Sequence, residues 1–440
     1  MGELVSEVAV RTPVAPVYAV PAPRAGRRRT GWDLLLVCMA VYIASGVGRI
    51  HDLFPVLLPL KPALVATVLG TGLWLLQQVG QRRFTLLRSR VATCLIGLLI
   101  WGAFSVPFAL TGGIAFQFWI DFARAIVMYF VIAGSVRSAA DVERLVLVYF
   151  GVTVLYTLVI LSRFQLGNDA ENWRLGRLYY YDANDLATLI ATAMPLGLYF
   201  ALAHRRIVLR LLALANLLLL GVALIRSGSR GGFLAFLAIA AFILVGFTTI
   251  KARARVAGLV LILGVLSATA SDKYWTQMQT IIRPHEDYNL TDDAGRVRIW
   301  KRGIGYMMDR PAVGVGMGNF QTAEGTLSPQ ARRSESGRGV RWGAAHNTFV
   351  QIGAEVGIPG LILFLALLAN LFLALRRIGR RAQRAGATDV ARLAQALTAA
   401  LVGFVVGGFF LSLAYADMLY TLAALAMGLA KLARTQLPLT

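Results

Sequence analysis

A chain of 440 residues with 57% hydrophobic content and a mean hydropathy of +0.65 is too apolar for a soluble globular protein. Its formal charge of +22 does not signal nucleic acid, because the arginines fall mostly between apolar runs, where they orient helices in a membrane. The two cysteines, Cys38 and Cys94, both lie in apolar runs and build neither a disulfide framework nor a zinc site.

Residues 1–30, rich in Pro, Ala and Val and ending in Arg27, Arg28 and Arg29, read as a disordered cytoplasmic tail. No clear small-residue cleavage site precedes the apolar run from Trp32. Hydropathy then predicts about twelve spans of the roughly 20 residues that a membrane helix needs. They fall near 32–50, 61–79, 91–110, 117–134, 145–164, 185–203, 207–225, 231–249, 254–270, 347–375, 392–412 and 415–433. The expected organisation is nine helices over 31–270, one large outer loop over 271–346, three helices over 347–433 and a short tail over 434–440.

Basic residues crowd every second connection: Arg82, Arg83, Arg88 and Arg90; Arg137 and Arg144; Arg205 and Arg206; Lys251, Arg253 and Arg255; and the stretch Arg376 to Arg392. Those connections share a side with Arg27–Arg29, so that side is cytoplasmic, as are both termini. Connections 111–116, 166–184, 226–230, 271–346 and 413–414 then lie outside. Arginines on that side, Arg174, Arg177, Arg226, Arg230 and those of the long loop, run against the orientation rule. Any one of them reads plainly as a headgroup-bound charge; several together point to an anionic ligand. Within a span, Asp121 and Arg124 share a helix face, either as a functional pair or as a self-neutralising one that fixes packing.

The connection 166–184 holds Arg174, Arg177, three tyrosines and Asp182, and Asn184 or Asp185 is placed to cap the helix after it. The turn Arg226-Ser-Gly-Ser-Arg230-Gly-Gly opens a span with small residues, helix N–H groups and an arginine, which suits a phosphate. In the long loop, Thr291, Asp292 and Asp293 are expected to cap an amphipathic helix that stops at Asp309-Arg310-Pro311. Val297, Trp300, Ile304, Met307 and Met308 form its apolar stripe, turned to the membrane surface or the bundle. At about 100° per residue Arg298 and Arg302 point away from that stripe, whereas Arg296 falls at its edge and faces inward. An inward arginine is costly unless an anion pairs with it.

His346 closes the loop at the mouth of the tenth span. Asn347, Gln351 and Glu355 follow at i, i+4 and i+8, a polar stripe that must face protein or water. Asp-x-Asp on the outer side, a Walker loop and Gly-x-Ser-x-Gly are all missing, so ATP hydrolysis and serine-hydrolase chemistry have no motif.

These residues resemble the O-antigen ligase and polymerase family of bacterial envelope glycan assembly. The resemblance rests on Ser229-Arg230-Gly231, Gly295-Arg296-x-x-x-Trp300, Arg310-Pro311-x-x-Gly314-x-Gly316-x-Gly318-x-Phe320, His346-Asn347-x-Phe349-x-Gln351 and Glu355-x-Gly357-x-x-Gly360. It covers about residues 225–365, and Asp182-Ala-Asn-Asp185-Leu-Ala is similar to an Asn-rich loop of the family. The resemblance implies an all-α integral membrane glycosyltransferase of the lipid-donor (GT-C) type in the bacterial inner membrane. Such an enzyme works on the periplasmic side, without cofactor or metal, and passes a glycan from undecaprenyl diphosphate to an acceptor hydroxyl on a lipid, a glycan or a protein. Carried over, His346 is the essential histidine, and Arg230 and Arg296 bind the donor diphosphate. Arg177, Asn347 and Gln351 are further candidates for binding substrate or orienting the histidine. The basic insert Ser328–Trp342 departs from the family pattern. A polymerase, a protein O-glycosylation ligase and a non-catalytic flippase or exporter of lipid-linked glycan are the competing readings.

The topology has a direct test in a background free of Cys38 and Cys94. A Ser336→Cys chain is expected to react with an impermeant thiol reagent from the periplasm, and an Ala385→Cys chain only from the cytoplasm. Labelling of both positions from one side overturns the alternation.

Overall fold

The computed structural model describes residues 31–81, 89–163, 173–175, 179–283, 295–333 and 342–436. The expectations for the tail 1–30, for Arg177, for the caps Thr291, Asp292 and Asp293, and for Ser336 lie outside the described residues. Among those described, the chain is helical and contains no strand. The helices are α1 (Leu34–Gly46), α2 (Ile50–Leu53), α3 (Pro62–Gln81), α4 (Arg90–Ser105), α5 (Gly112–Ser135), α6 (Ala139–Arg163), α7 (Ala183–Ala203), α8 (Ile207–Ser227) and α9 (Arg230–Gly246). There follow α10 (Ala252–Thr269), α11 (Asp272–Gln279), α12 (Arg296–Asp309), α13 (Phe320–Thr326), α14 (Pro329–Arg333), α15 (Thr348–Arg384), α16 (Thr388–Gly408) and α17 (Asp417–Gln436).

Each stretch expected to span contains a helix, and nine helices among the described residues are long and apolar enough to cross a membrane. Two further apolar helices, α1 and α9, are shorter. The protein is therefore an all-helical, multi-pass membrane protein. Its surface agrees, since Leu76, Val208 and Leu261 are 74%, 70% and 68% exposed on α3, α8 and α10, a distribution that suits lipid rather than water. The interior is built chiefly from α7, α16 and α17, whose faces are rich in alanine, glycine and leucine; small residues let helix backbones approach where lipid supplies no hydrophobic drive.

Side-chain caps fix where helices begin. Asp33 accepts from Leu36 N–H at 2.9 Å at the head of α1, and Ser89 and Ser229 accept from the N–H groups of Ala92 and Gly232, each removing an orphan donor. At α7 the cap is Asp182, which accepts from the N–H groups of both Asn184 and Asp185, and not Asn184 or Asp185 as expected. A carboxylate one residue upstream reaches two donors at once. The ammonium of Lys431 donates to the carbonyls of Gly134 and Val136 at 2.9 and 2.8 Å and so closes the C-terminal end of α5.

The expected continuous span 347–375 is broken. Within α15, Gly357 has φ 77° and ψ −176°, two residues before Pro359. The freed backbone groups find partners in the segment between α12 and α13. The carbonyls of Ala354 and Glu355 accept from the N–H groups of Val315 and Gly316 at 2.8 and 2.9 Å, and Ile358 N–H donates to Pro311 O at 2.8 Å. Trp101 Nε1–H donates to Val356 O at 3.1 Å. Irregular backbone inside a membrane protein is tolerated only where protein satisfies it, and here every one of these four groups is satisfied. Leu110 N–H donates to Val315 O, and Thr111 N–H to Asn319 Oδ1 at 3.0 Å, which ties the α4–α5 connection to the same segment.

The break admits only glycine. A Cβ on Gly357 would lie 2.4 Å from Ala312 O, and one on Gly314 (φ +67°) would lie 2.5 Å from Ala354 O. Gly357→Ala is expected to cost about 1–3 kcal/mol from backbone strain alone, with more from the collision. Gly72→Ala, in α3 with no atom near the added methyl, should be neutral or stabilising by about 0.5–1 kcal/mol. Thermal unfolding of the two variants in the same detergent checks the contrast.

Candidate active site

One connection organises the end of the bundle that carries His346. By hydropathy the last two spans are separated only by residues 413–414. The structure ends α16 at Gly408 and begins α17 at Asp417. The intervening Phe409–Ala416 is apolar enough to read as membrane because it is packed under the long loop. Leu411, Leu413 and Ala414 are buried. Its polar members, Ser412 and Tyr415, with two glycines ahead of it at 407 and 408, were the signal available in the sequence.

At the near end of this connection sits the α8–α9 turn. Gly228 ends α8 with φ +58°, Ser229 caps α9, and Arg230 is the first residue of that helix. Gly231 backs directly onto Phe410: a Cβ there would lie 3.0 Å from that of Phe410. Arg230 donates through Nη1 to Thr280 Oγ1 at 2.6 Å, beside the end of α11. Leu175 N–H donates to Arg226 O at 2.8 Å, so the segment 173–175 closes over the turn. The turn thus combines an arginine with the N-terminus of a helix, whose dipole favours anions.

The expected amphipathic helix exists as α12, but it starts at Arg296 with Gly295 as its cap and no side-chain capping bond. Its phase also differs from the expected one. The buried residues are Ile299, Gly303 and Tyr306, a stripe at i, i+4 and i+7, while Ile304 and Met308 are 45% and 56% exposed. Trp300 and Met307 flank the buried stripe, Trp300 meeting the ring of Phe409 edge-on at 5.3 Å between centroids. Arg296 is half-buried and Arg298 exposed.

Arg302 was expected to point outward and does the opposite. Its guanidinium forks onto Glu324 of α13, Nε to Oε1 at 2.9 Å and Nη2 to Oε2 at 2.6 Å. Tyr306 Oη donates to the same carboxylate at 2.8 Å. Burial, with the Glu324 charge second, pushes the Tyr306 hydroxyl well above its usual range, so it stays a donor. The apolar count around the helix misplaced Arg302 because a buried carboxylate 22 residues later supplies its partner.

His346 lies where the long loop enters α15. Its backbone is left-handed, with φ +47°, and its N–H donates to Ser412 Oγ at 2.9 Å. The ring is carried half-exposed at the seam. A left-handed histidine is a strained residue of the kind that gathers at functional sites. Asn347 is the N-cap of α15, its Oδ1 accepting from Phe349 and Val350 N–H. Thr348 Oγ1 donates to Leu411 O and accepts from Leu413 N–H, and Gln351 Oε1 accepts from Ala414 N–H at 3.2 Å. Asn347, Gln351 and Glu355 are 2%, 7% and 1% exposed, so the polar stripe faces protein. Glu355 accepts from Phe320 N–H and neighbours Tyr415 and Gln351. Asn347 and Gln351 therefore hold the floor on which His346 stands. The elements that carry Arg230, Arg296 and His346 all meet on Phe409–Ala416. Asp121 and Arg124 pair with each other at 3.3 Å, on the helix whose Phe118 and Phe122 meet the ring of Tyr415 in the same connection.

Removing the partner of a buried cation typically costs about 3–5 kcal/mol. Glu324→Ala is expected to have that effect on the α12–α13 unit, because Arg302 and Glu324 are only 16% and 2% exposed. Arg298→Ala should stay within about 0.5 kcal/mol. Hydrogen exchange reports the difference, as lost protection over residues 296–309 in the first variant only.

Residues 215–365, from α8 through the break in α15, match a family model described as O-antigen ligase. A comparison with curated proteins gives no match.

Proposed function

We propose, from the match of residues 215–365 to a family model described as O-antigen ligase, that this chain transfers a glycan from undecaprenyl diphosphate to an acceptor hydroxyl at the periplasmic face of the inner membrane. The observation that carries this reading is the convergence of the α8–α9 turn, α12 and the His346 seam on the single connection Phe409–Ala416. That arrangement puts two arginine-bearing elements and a histidine-bearing one at the same end of the bundle. The twelve helices would place this end outside and both termini in the cytoplasm.

As the bond between the anomeric carbon and the diphosphate breaks, negative charge develops on the leaving group. Arg230, at the head of α9, and Arg296, at the head of α12, would take that charge as bidentate donors, reinforced by the helix N-termini. His346 would accept the proton from the acceptor hydroxyl as its oxygen forms the new glycosidic bond. Attack opposite the leaving group inverts the anomeric centre. Ser412, Thr348, Asn347 and Gln351 fix the backbone around the histidine, so the base is positioned before substrate arrives.

The test uses purified chain in detergent with an undecaprenyl-diphosphate-linked glycan and lipid A–core acceptor. His346→Ala is expected to lower product formation by about 10²–10⁴-fold while donor binding and the unfolding temperature persist. Arg230→Ala and Arg296→Ala should lose both binding and transfer, and Arg296→Lys should recover only part of them. EDTA should leave the wild-type rate unchanged. Full transfer by His346→Ala ends the catalytic assignment, and donor movement across a bilayer without any linked product favours an exporter.

A further inference from the structure

Among the described residues, three of the four non-glycine ones with positive φ are Arg49, Tyr179 and His346. The first two belong to a second polar cluster at the far end of the same connection. Tyr42 Oη donates to Asp417 Oδ1 at 2.8 Å, which pins the end of α1 to the start of α17. Beyond it the chain turns at Arg49, whose Nε donates to Asp52 Oδ2 at 2.8 Å. The Arg49 guanidinium lies 3.7 Å from the centre of the Tyr180 ring, and its charge is felt at Asp417. Tyr180 is 50% exposed, with Tyr181 meeting it edge-on at 5.0 Å. A cation covers one face of the ring and Tyr181 meets it edge-on, while half of the residue stays exposed beside the Arg49–Asp52 pair.

None of this is used by the donor arginines or by His346. The chemistry is that of a carbohydrate subsite. The C–H face of a sugar packs on an aromatic ring, and its hydroxyls suit charged donors and acceptors placed around the rim. Position decides which sugar. Along the connection, Phe409 and Phe410 touch the elements of Arg296 and Arg230, Ser412 holds His346, Tyr415 adjoins Glu355, and Asp417 meets Tyr42. The contact that holds His346 falls, along the connection, between those of the two arginine-bearing elements and that of Tyr42.

We propose that Tyr180, with Arg49 and Asp52, forms the subsite that receives the sugar of the acceptor, delivering its hydroxyl to His346 from the side opposite the diphosphate. This rests on the transfer reading above. Arg49 backs the ring and fixes its plane, Asp52 holds the guanidinium in place, and the left-handed turns at Arg49 and Tyr179 hold the two segments together at the rim.

The experiment is calorimetric titration in detergent of a core oligosaccharide released from lipopolysaccharide, with undecaprenyl diphosphate titrated in parallel. Tyr180→Ala is expected to weaken oligosaccharide binding by about 3- to 10-fold, the contribution of one aromatic face. Tyr180→Phe, which keeps the face, should bind as wild type does, and both variants should bind undecaprenyl diphosphate unchanged. Unaltered oligosaccharide binding by Tyr180→Ala, or no binding by wild type, overturns the subsite. Weakened binding of undecaprenyl diphosphate overturns its assignment to the acceptor. Because the readout is binding, an absence of transfer alongside Tyr180-dependent binding sinks the transferase reading alone.

Discussion

The site depends on how backbone groups released at Gly357 are satisfied. A helix broken inside an apolar bundle exposes carbonyls and an N–H that water cannot reach, and each unpaired group costs about 1–3 kcal/mol. The segment Pro311–Gly316 takes up the carbonyls of Ala354 and Glu355 and the N–H of Ile358, which fixes it against α15 in one register. Because that segment joins α12 to α13, its register also sets where α12 lies, and with it Arg296, Trp300 and Arg302. The glycines at 314 and 357 follow from the closeness of the two backbones.

A second consequence is rigidity at the histidine. Between the break and the N-cap Asn347, α15 is a short helix held at its lower end by the glycine-rich segment and at its upper end by the connection Phe409–Ala416. Thr348 and Gln351 bond that connection from one side, and Ser412 bonds His346 from the other. The strained φ of His346 persists because these contacts over-determine it. A site on loops alone would lack this support; here the loops are clamped between helix ends.

Charge is arranged with the same economy. Arg302 is neutralised by the buried carboxylate of Glu324 and serves structure, whereas Arg298 is exposed. Arg230 and Arg296 each head a helix, where the macrodipole adds to their own charge.

Hydropathy by itself determined that this is a helical membrane protein, because lipid imposes a long apolar run on any such chain. The caps at Asp33, Ser89 and Ser229 were legible in principle too, since a cap is a local event. The break at Gly357 was not, because it depends on partners 40 or more residues away at Pro311–Gly316. The phase of α12 was misjudged for a similar reason: the partner of Arg302 lies on α13, and Ile304 and Met308, which look like core, are exposed. The connection Phe409–Ala416 was hidden because buried loop and buried membrane have the same apolar composition. What only the tertiary structure decided was therefore which elements meet at His346, since hydrogen bonds between distant segments leave no period in the sequence.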